Sequence, residues 1–284
     1  MTDYNTAARN ILLMREADLL SRECARGGFD VIFLKGAALL ARGMCGPHER
    51  TMSDLDVIVS PENRTAARRA LARLGYRKLD GVFQAYGKGR AIADLHTELW
   101  HADYAALRAE AQWAESENGR LLVPSAEDMA LHVVAHAMLH QGGFPPRARR
   151  DFAFIAAKDF NWEKFRLRAA EFGMKALAAS AIACGKTPAP PEMADKFALA
   201  PLQRPMLALF LRAARGDGGV MYEYILPAAY KPALVWRAAF PPAHVLEEKM
   251  KASPVLRRVA RPLNVLLRAC RRIFESYGRG VVSL

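Results

Sequence analysis

No run of apolar residues in this chain approaches the roughly 18 that a membrane-spanning helix needs, so an integral membrane role is not expected. The first residues, Met1-Thr2-Asp3-Tyr4-Asn5, lack the basic stretch and apolar segment of a secretory leader, and a cytoplasmic location is the expectation. Cysteine is scarce. The four, Cys24, Cys45, Cys184 and Cys270, stand apart without C-x-x-C spacing, which argues against a zinc knuckle and a disulfide framework and leaves reduced, packed thiols. Also missing is an interleaving of aromatic and basic residues of the kind that stacks single-stranded nucleic acid, so specific nucleic-acid binding is not expected.

What is present is a surplus of positive charge. Lys and Arg number 41 against 29 Asp and Glu, a net charge of +12 and a pI near 9.8. Such a balance attracts nucleic acid, anionic membrane or nucleotide phosphates, and charge alone does not choose among them. The excess is concentrated in Arg64 to Arg73, in Arg147 to Arg150 and after Lys249. At 284 residues the chain exceeds a typical domain of roughly 100 to 200 residues, which predicts more than one domain, and 52% hydrophobic content is ample for a packed core.

The organising stretch runs from Val31 to Val59. A short apolar run, Val31 to Leu34, meets the turn Lys35-Gly36, and two carboxylates, Asp54 and Asp56, open a second apolar run. Apolar runs of this length read as buried strands, and alternation points residues i and i+2 the same way. Paired carboxylates repel, so holding both ionised calls for a cation, and oxygen ligation suits Mg²⁺ or Mn²⁺. The plainer reading makes Asp54 a turn cap and Asp56 a solvated residue. Free N–H groups at the start of the helix predicted over Ala37 to Arg42 favour an anion, and Lys35 beside them fits a phosphate. Arg50 is near enough in sequence to reach a phosphate or to pair with Asp54.

Upstream, residues 5 to 26 predict a helix stopped by Gly27-Gly28. Downstream, a helix is predicted from Pro61-Glu62 to about Leu74, with Ala67, Ala70, Leu71 and Leu74 on one face and solvated Arg64, Arg68, Arg69 and Arg73 elsewhere. Strand-like pieces follow at Tyr76 to Leu79, Val82 to Tyr86 and Ala91 to Leu99. In the last, Asp94, His96 and Glu98 share one face, three groups able to ligate a metal, although ordinary polar residues on an open sheet face would look the same. Residues 100 to 120 read as a polar transition and a domain edge. Ser125 as N-cap with Asp128 three residues later announces a helix carrying His132, His136 and His140. Without the Glu of H-E-x-x-H, packing is expected for these, with His136 or His140 facing a cleft. Pro145-Pro146 breaks the chain, and Arg147 to Arg150 with Asp151 begin the next helix. Further helices are predicted near 161 to 173 and 175 to 185, then a linker through Pro188, Pro190 and Pro191, then two or three more over 192 to 250. The final helix places Arg257, Arg258, Arg261, Arg268, Arg271 and Arg272 opposite Val255, Val259, Leu263, Leu266, Cys270 and Ile273. Such a helix lies on an anionic membrane, tracks a phosphate backbone or packs on the body.

Together, Leu34-Lys35-Gly36-Ala37-Ala38, Arg50-Thr51-Met52-Ser53-Asp54-Leu55-Asp56 and Asp94-Leu95-His96 resemble the nucleotidyltransferase fold of the DNA polymerase beta superfamily. They are most similar to an uncharacterised bacterial group with L-K-G-x-A, R-x-x-x-D-x-D and D-L-H motifs. The resemblance covers roughly residues 5 to 190. The superfamily usually carries Gly-Gly or Gly-Ser in the first turn; Lys35-Gly36-Ala37 offers no hydroxyl.

The resemblance implies an α+β fold, a nucleotidyltransferase-like mixed sheet with flanking helices followed by an all-helical C-terminal region. Expected boundaries are 1–120 for the catalytic domain, 121–190 for a helical domain closing the cleft, and 191–284 for an extension ending in the basic helix. It implies transfer of a nucleoside monophosphate, AMP from ATP, to a hydroxyl or similar acceptor on a small molecule or protein. Asp54, Asp56 and Asp94 would be catalytic and hold Mg²⁺ or Mn²⁺; Lys35, Gly36, Arg50 and Ser53 would meet the nucleotide; His96, His136, His140, Arg150 and Asp151 would line the cleft. An anionic membrane surface or a protein is the expected partner of the basic helix, with peripheral attachment to a membrane. A catalytically silent nucleotide-binding or docking module of the same fold is the competing reading.

Overall fold

The computed structural model describes residues 4–201 apart from 81, 83, 100, 118, 141–143, 158, 184–186, 191 and 198–200. The expected basic helix, and most of the helices expected over 192 to 250, lie outside the described residues.

Helix α1 spans Tyr4–Arg26 and ends as its glycines require: Gly28 takes φ +77°, and the Phe29 N–H returns to the Cys24 carbonyl at 3.2 Å. Its inward stripe is Asn10, Leu13, Ala17, Leu20 and Cys24, all buried at helical spacing, whereas Ile11 and Leu12 are exposed. Strand β1 (Ile32–Phe33), helix α2 (Lys35–Ala41) and strand β2 (Leu55–Ile58) follow the predicted order. A short 3-10 turn, Pro61–Asn63, leads into α3 (Arg64–Arg73), which buries Ala67, Ala70 and Leu71. Arg69 and Arg73 are exposed on its outer side, and Arg73 pairs with Glu23.

Strands β3 (Arg77–Lys78), β4 (Ala85–Lys88) and β5 (Ala91–His96) come next. Residues 100 to 120, read from sequence as a polar transition, instead build helix α4 (Tyr104–Glu110), strand β6 (Gln112–Ser116) and the start of strand β7 (Gly119–Val123). The reason is visible in β6, whose largely exposed residues give no apolar run. Seven strands form one mixed sheet in the order β3-β4-β5-β2-β1-β7-β6. The pairs β2/β5 and β1/β7 are parallel and the others antiparallel. The central strands are covered on both faces: Ile32, Phe33, Leu55, Val57, Ile58, Leu121, Leu122 and Val123 are fully buried. This is the mixed, helix-flanked sheet the motifs imply.

Helices α5 (Ala126–His140), α6 (Pro146–Ala156), α7 (Trp162–Glu171), α8 (Lys175–Ala183) and α9 (Met193–Lys196) complete the described chain. Ser125 caps α5 as predicted, accepting the Asp128 N–H at 3.2 Å. The Asp128 carboxylate is taken by Arg168, with Nε and Nη2 each at 2.8 Å. Two compact units divide the chain, one of residues 1–133 and 150–168, the other of 134–149 and 169 onward. The first contains the whole sheet and an aromatic cluster of Phe152, Phe160, Trp162 and Phe165, its closest rings 4.7 Å apart. The second buries Met174, Ala178, Ala181, Met193 and Phe197. No described helix is long and apolar enough to cross a membrane.

Candidate active site

Parallel pairing of β2 with β5 sets Asp56 opposite Asp94 and Ile58 opposite His96. Along β5, Ala91, Ala93 and Leu95 are buried while Asp94 and His96 are half-buried on the other face. The alternation read from sequence is therefore real. It delivers Asp56, Asp94 and His96 to one spot: one ligand atom from each lies within 4.8 Å of the others, and among the described residues this is the one such group of three. Glu98 lies beyond the end of β5 and is exposed.

Asp56 is only 4% exposed. Its Oδ1 accepts Lys35 Nζ at 2.7 Å and faces His96 Nε2 at 3.5 Å. Burial opposes its ionisation, but His96 and Lys35 together outweigh burial and hold the carboxyl far below the usual carboxylate range. Asp94 shifts the other way. Burial, with the charges of Asp56 and Asp54, raises it against the opposing pull of His96 and Lys35. Its Oδ2 lies 3.9 Å from His96 Nε2, and its Oδ1 is buried with no hydrogen-bond partner. An unpaired buried carboxylate oxygen beside a second acid and an imidazole fits a divalent cation, which would satisfy it. Asp54 stands just before β2, half-buried, and its Oδ1 accepts the hydroxyl of exposed Ser53 at 2.7 Å.

Lys35 opens α2 with φ +49°, a left-handed conformation unusual for a residue with a side chain. Gly36 is required for a different reason, close approach. A Cβ there would come 2.2 Å from Arg50 Nη1 and 2.5 Å from Met52 Cγ. Arg50 itself is buried and bound to Asp151: Nε reaches both carboxylate oxygens at 3.0 Å and Nη2 reaches Oδ2 at 2.9 Å. Of the two roles considered for Arg50, the pairing is thus with Asp151 and not Asp54. Arg150 is exposed.

His132 is buried with its ring 5.3 Å from that of His101. His136 is half-buried and belongs to the second unit, and the side chain of His140 lies outside what is described. Sequence reasoning also missed the clamp that holds the segment before β2. Asn10, fully buried on α1, donates to the carbonyls of Pro47 at 2.7 Å and Arg50 at 2.6 Å and accepts the Met52 N–H at 3.0 Å. Thr6 bonds Thr51 at 3.0 Å, and Arg9 donates to the Ser53 carbonyl. The available signal was a polar residue at the head of the stripe 10, 13, 17, 20, 24, where packing alone would favour an apolar one.

This sheet, carrying two register-matched acids beside a Lys-Gly turn, defines a nucleotidyl-transferring enzyme. Residues 3–187 match the model of a family described as uncharacterised nucleotidyltransferase, and the chain belongs to that family. Among solved structures, it aligns with ANT(2'')-Ia crystallised with adenylyl-2''-tobramycin, at 15% identity over 56% of this chain and 95% of that one, TM-score 0.45. A solution structure of the antibiotic-resistance factor ANT(2'')-Ia aligns at 15% identity over 62% and 99%, TM-score 0.45. No curated protein matches the chain.

Proposed function

We propose that this enzyme moves AMP from ATP to a hydroxyl or similar acceptor on a small molecule or protein, using a divalent cation, Mg²⁺ or Mn²⁺. The observation that carries this reading is the meeting of Asp56, Asp94 and His96 next to Lys35 and Gly36, with one Asp94 oxygen buried and unpartnered. Asp54, Asp56 and Asp94, with His96, are the residues that would hold the cation. Once bound, it supplies positive charge against the α-phosphate and the departing pyrophosphate.

The chain's own groups do the rest. Lys35 and the amides at the start of α2 bind the triphosphate, with Ser53 at the rim. Asp94 takes the proton from the acceptor hydroxyl. The acceptor oxygen then bonds to the α-phosphorus as the bond from that phosphorus to the pyrophosphate oxygen breaks. A sheet-bearing catalytic domain followed by helical domains is part of the same proposal.

The test uses ATP labelled at the α-phosphate, Mg²⁺ or Mn²⁺, and pools of sugars, antibiotics, peptides and proteins. Labelled acceptor and released pyrophosphate are expected, and both should fall at least a hundredfold in Asp56→Asn and in Asp54→Asn with Asp56→Asn. Label transfer that survives the double change would sink the reading. ATP binding that ignores the cation, with no pyrophosphate released in any pool, would favour the silent binding module.

A further inference from the structure

Asp56 Oδ1 is claimed by Lys35. The ammonium sits 2.7 Å from that oxygen and completes an ion pair in which Asp56 is nearly buried, while the Lys35 side chain keeps a quarter of its surface exposed. Magnesium would approach such an oxygen to about 2.0–2.1 Å, and manganese binds similarly hard oxygen donors. An ammonium 2.7 Å from Oδ1 competes with a dication for that oxygen through like-charge repulsion. A cation that takes Asp56 Oδ1 therefore displaces Lys35. Its flexible four-carbon stem allows this, because only the tip has to move.

Two further observations bear on where it goes. Lys35 is the first residue of α2, held at φ +49°, so its backbone already carries strain of the kind that persists only where surrounding structure enforces it. Arg50, the cation nearest Gly36, is bound to Asp151 on three contacts and cannot replace Lys35 on Asp56 without leaving a buried carboxylate unpaired. A triphosphate arriving with the cation supplies a displaced Lys35 with a new anion.

We propose that Lys35 is a resident counter-ion that occupies Asp56 until nucleotide arrives, so that the site refuses free cation and loads cation and nucleoside triphosphate as one unit. This rests on the proposed function above and adds to it an order of loading. Lys35 changes partner, from the Asp56 carboxylate to a phosphate oxygen, with no bond made or broken. The free ion meets an Asp56 oxygen already paired; the cation–triphosphate complex brings its own partner for the lysine.

Calorimetry on the full chain tests this without any acceptor. Mn²⁺ alone, and Mn²⁺ with the uncleavable α,β-methylene analogue of ATP, are titrated into the wild type, Lys35→Met, Lys35→Gln and Lys35→Arg. In Lys35→Met, affinity for Mn²⁺ alone should rise about tenfold while affinity for the Mn²⁺–nucleotide complex falls about tenfold, opposite shifts of the size typical of coupled sites. Lys35→Gln should repeat both shifts, and Lys35→Arg, which keeps the charge, should stay within about threefold of the wild type on both. If removing the lysine leaves free Mn²⁺ binding unchanged or weaker while nucleotide affinity falls, Lys35 is a phosphate ligand only and the inference is overturned. If the wild type binds neither Mn²⁺ nor its nucleotide complex, the proposed function fails and takes this inference with it.

Discussion

Changing Asn10 to leucine keeps the size and branching of the side chain while deleting its donor and its acceptor. Two partners of Asn10 are buried, the Arg50 carbonyl and the Met52 N–H, and a third, the Pro47 carbonyl, is partly so. A buried polar group left without a partner costs about 1–3 kcal/mol, so the two buried groups alone predict about 2–6 kcal/mol. Leucine at the head of the stripe made by Leu13, Ala17, Leu20 and Cys24 returns about 1–2 kcal/mol of burial. A net loss of about 0–5 kcal/mol follows, about 2.5 at mid-range, concentrated in residues 47 to 53, the approach to Asp54 and Asp56. Urea unfolding followed by far-ultraviolet circular dichroism reads the global loss, and hydrogen exchange of the peptide covering 47 to 53 reads the local one. Wild-type stability within about 0.5 kcal/mol, together with unchanged exchange in that peptide, would refute the clamp.

Asp151→Asn strands the buried Arg50 guanidinium and should cost about 3–5 kcal/mol in the same unfolding assay, whereas Arg50→Met with Asp151→Leu should recover most of that loss. Gly36→Ala drives a Cβ onto Arg50 and Met52, and because Asp151 keeps Arg50 from retreating, we expect a loss of about 1–3 kcal/mol and weaker nucleotide binding by calorimetry. Burial pushes the Cys24 thiol up to about 12 and the Cys45 thiol up to about 11. With Cys184 and Cys270 changed to serine, the native protein at pH 8 should then react with iodoacetamide far more slowly than a free thiol, since roughly one Cys24 in ten thousand is thiolate; rapid labelling before unfolding would contradict the packing.

How much of this was readable beforehand differs from element to element. Helix α1, the Lys-Gly turn and the acid-bearing strands were readable because each depends on residues only a few positions apart, through glycine stops and twofold or helical alternation. Residues 100 to 120 were not, since β6 pairs with β7 at the sheet margin and exposes most of its side chains, leaving no apolar signature. Asp56 and Asp94 could be proposed as companions, but the register that sets them opposite one another belongs to a parallel pairing between distant segments.

What the order of residues determined by itself was the chemical inventory and its local direction: Lys35 at a turn, Asp54 and Asp56 at a strand entrance, Asp94 and His96 on one face of β5. Only the tertiary structure decided the partners. Arg50 went to Asp151, 101 positions away, Lys35 went to Asp56, and Asn10 closed on the segment before β2. Periodicity follows from backbone geometry and needs only neighbours, whereas the choice of partner for a buried charge or amide depends on which distant groups the packed sheet and helices leave within 3 Å of it.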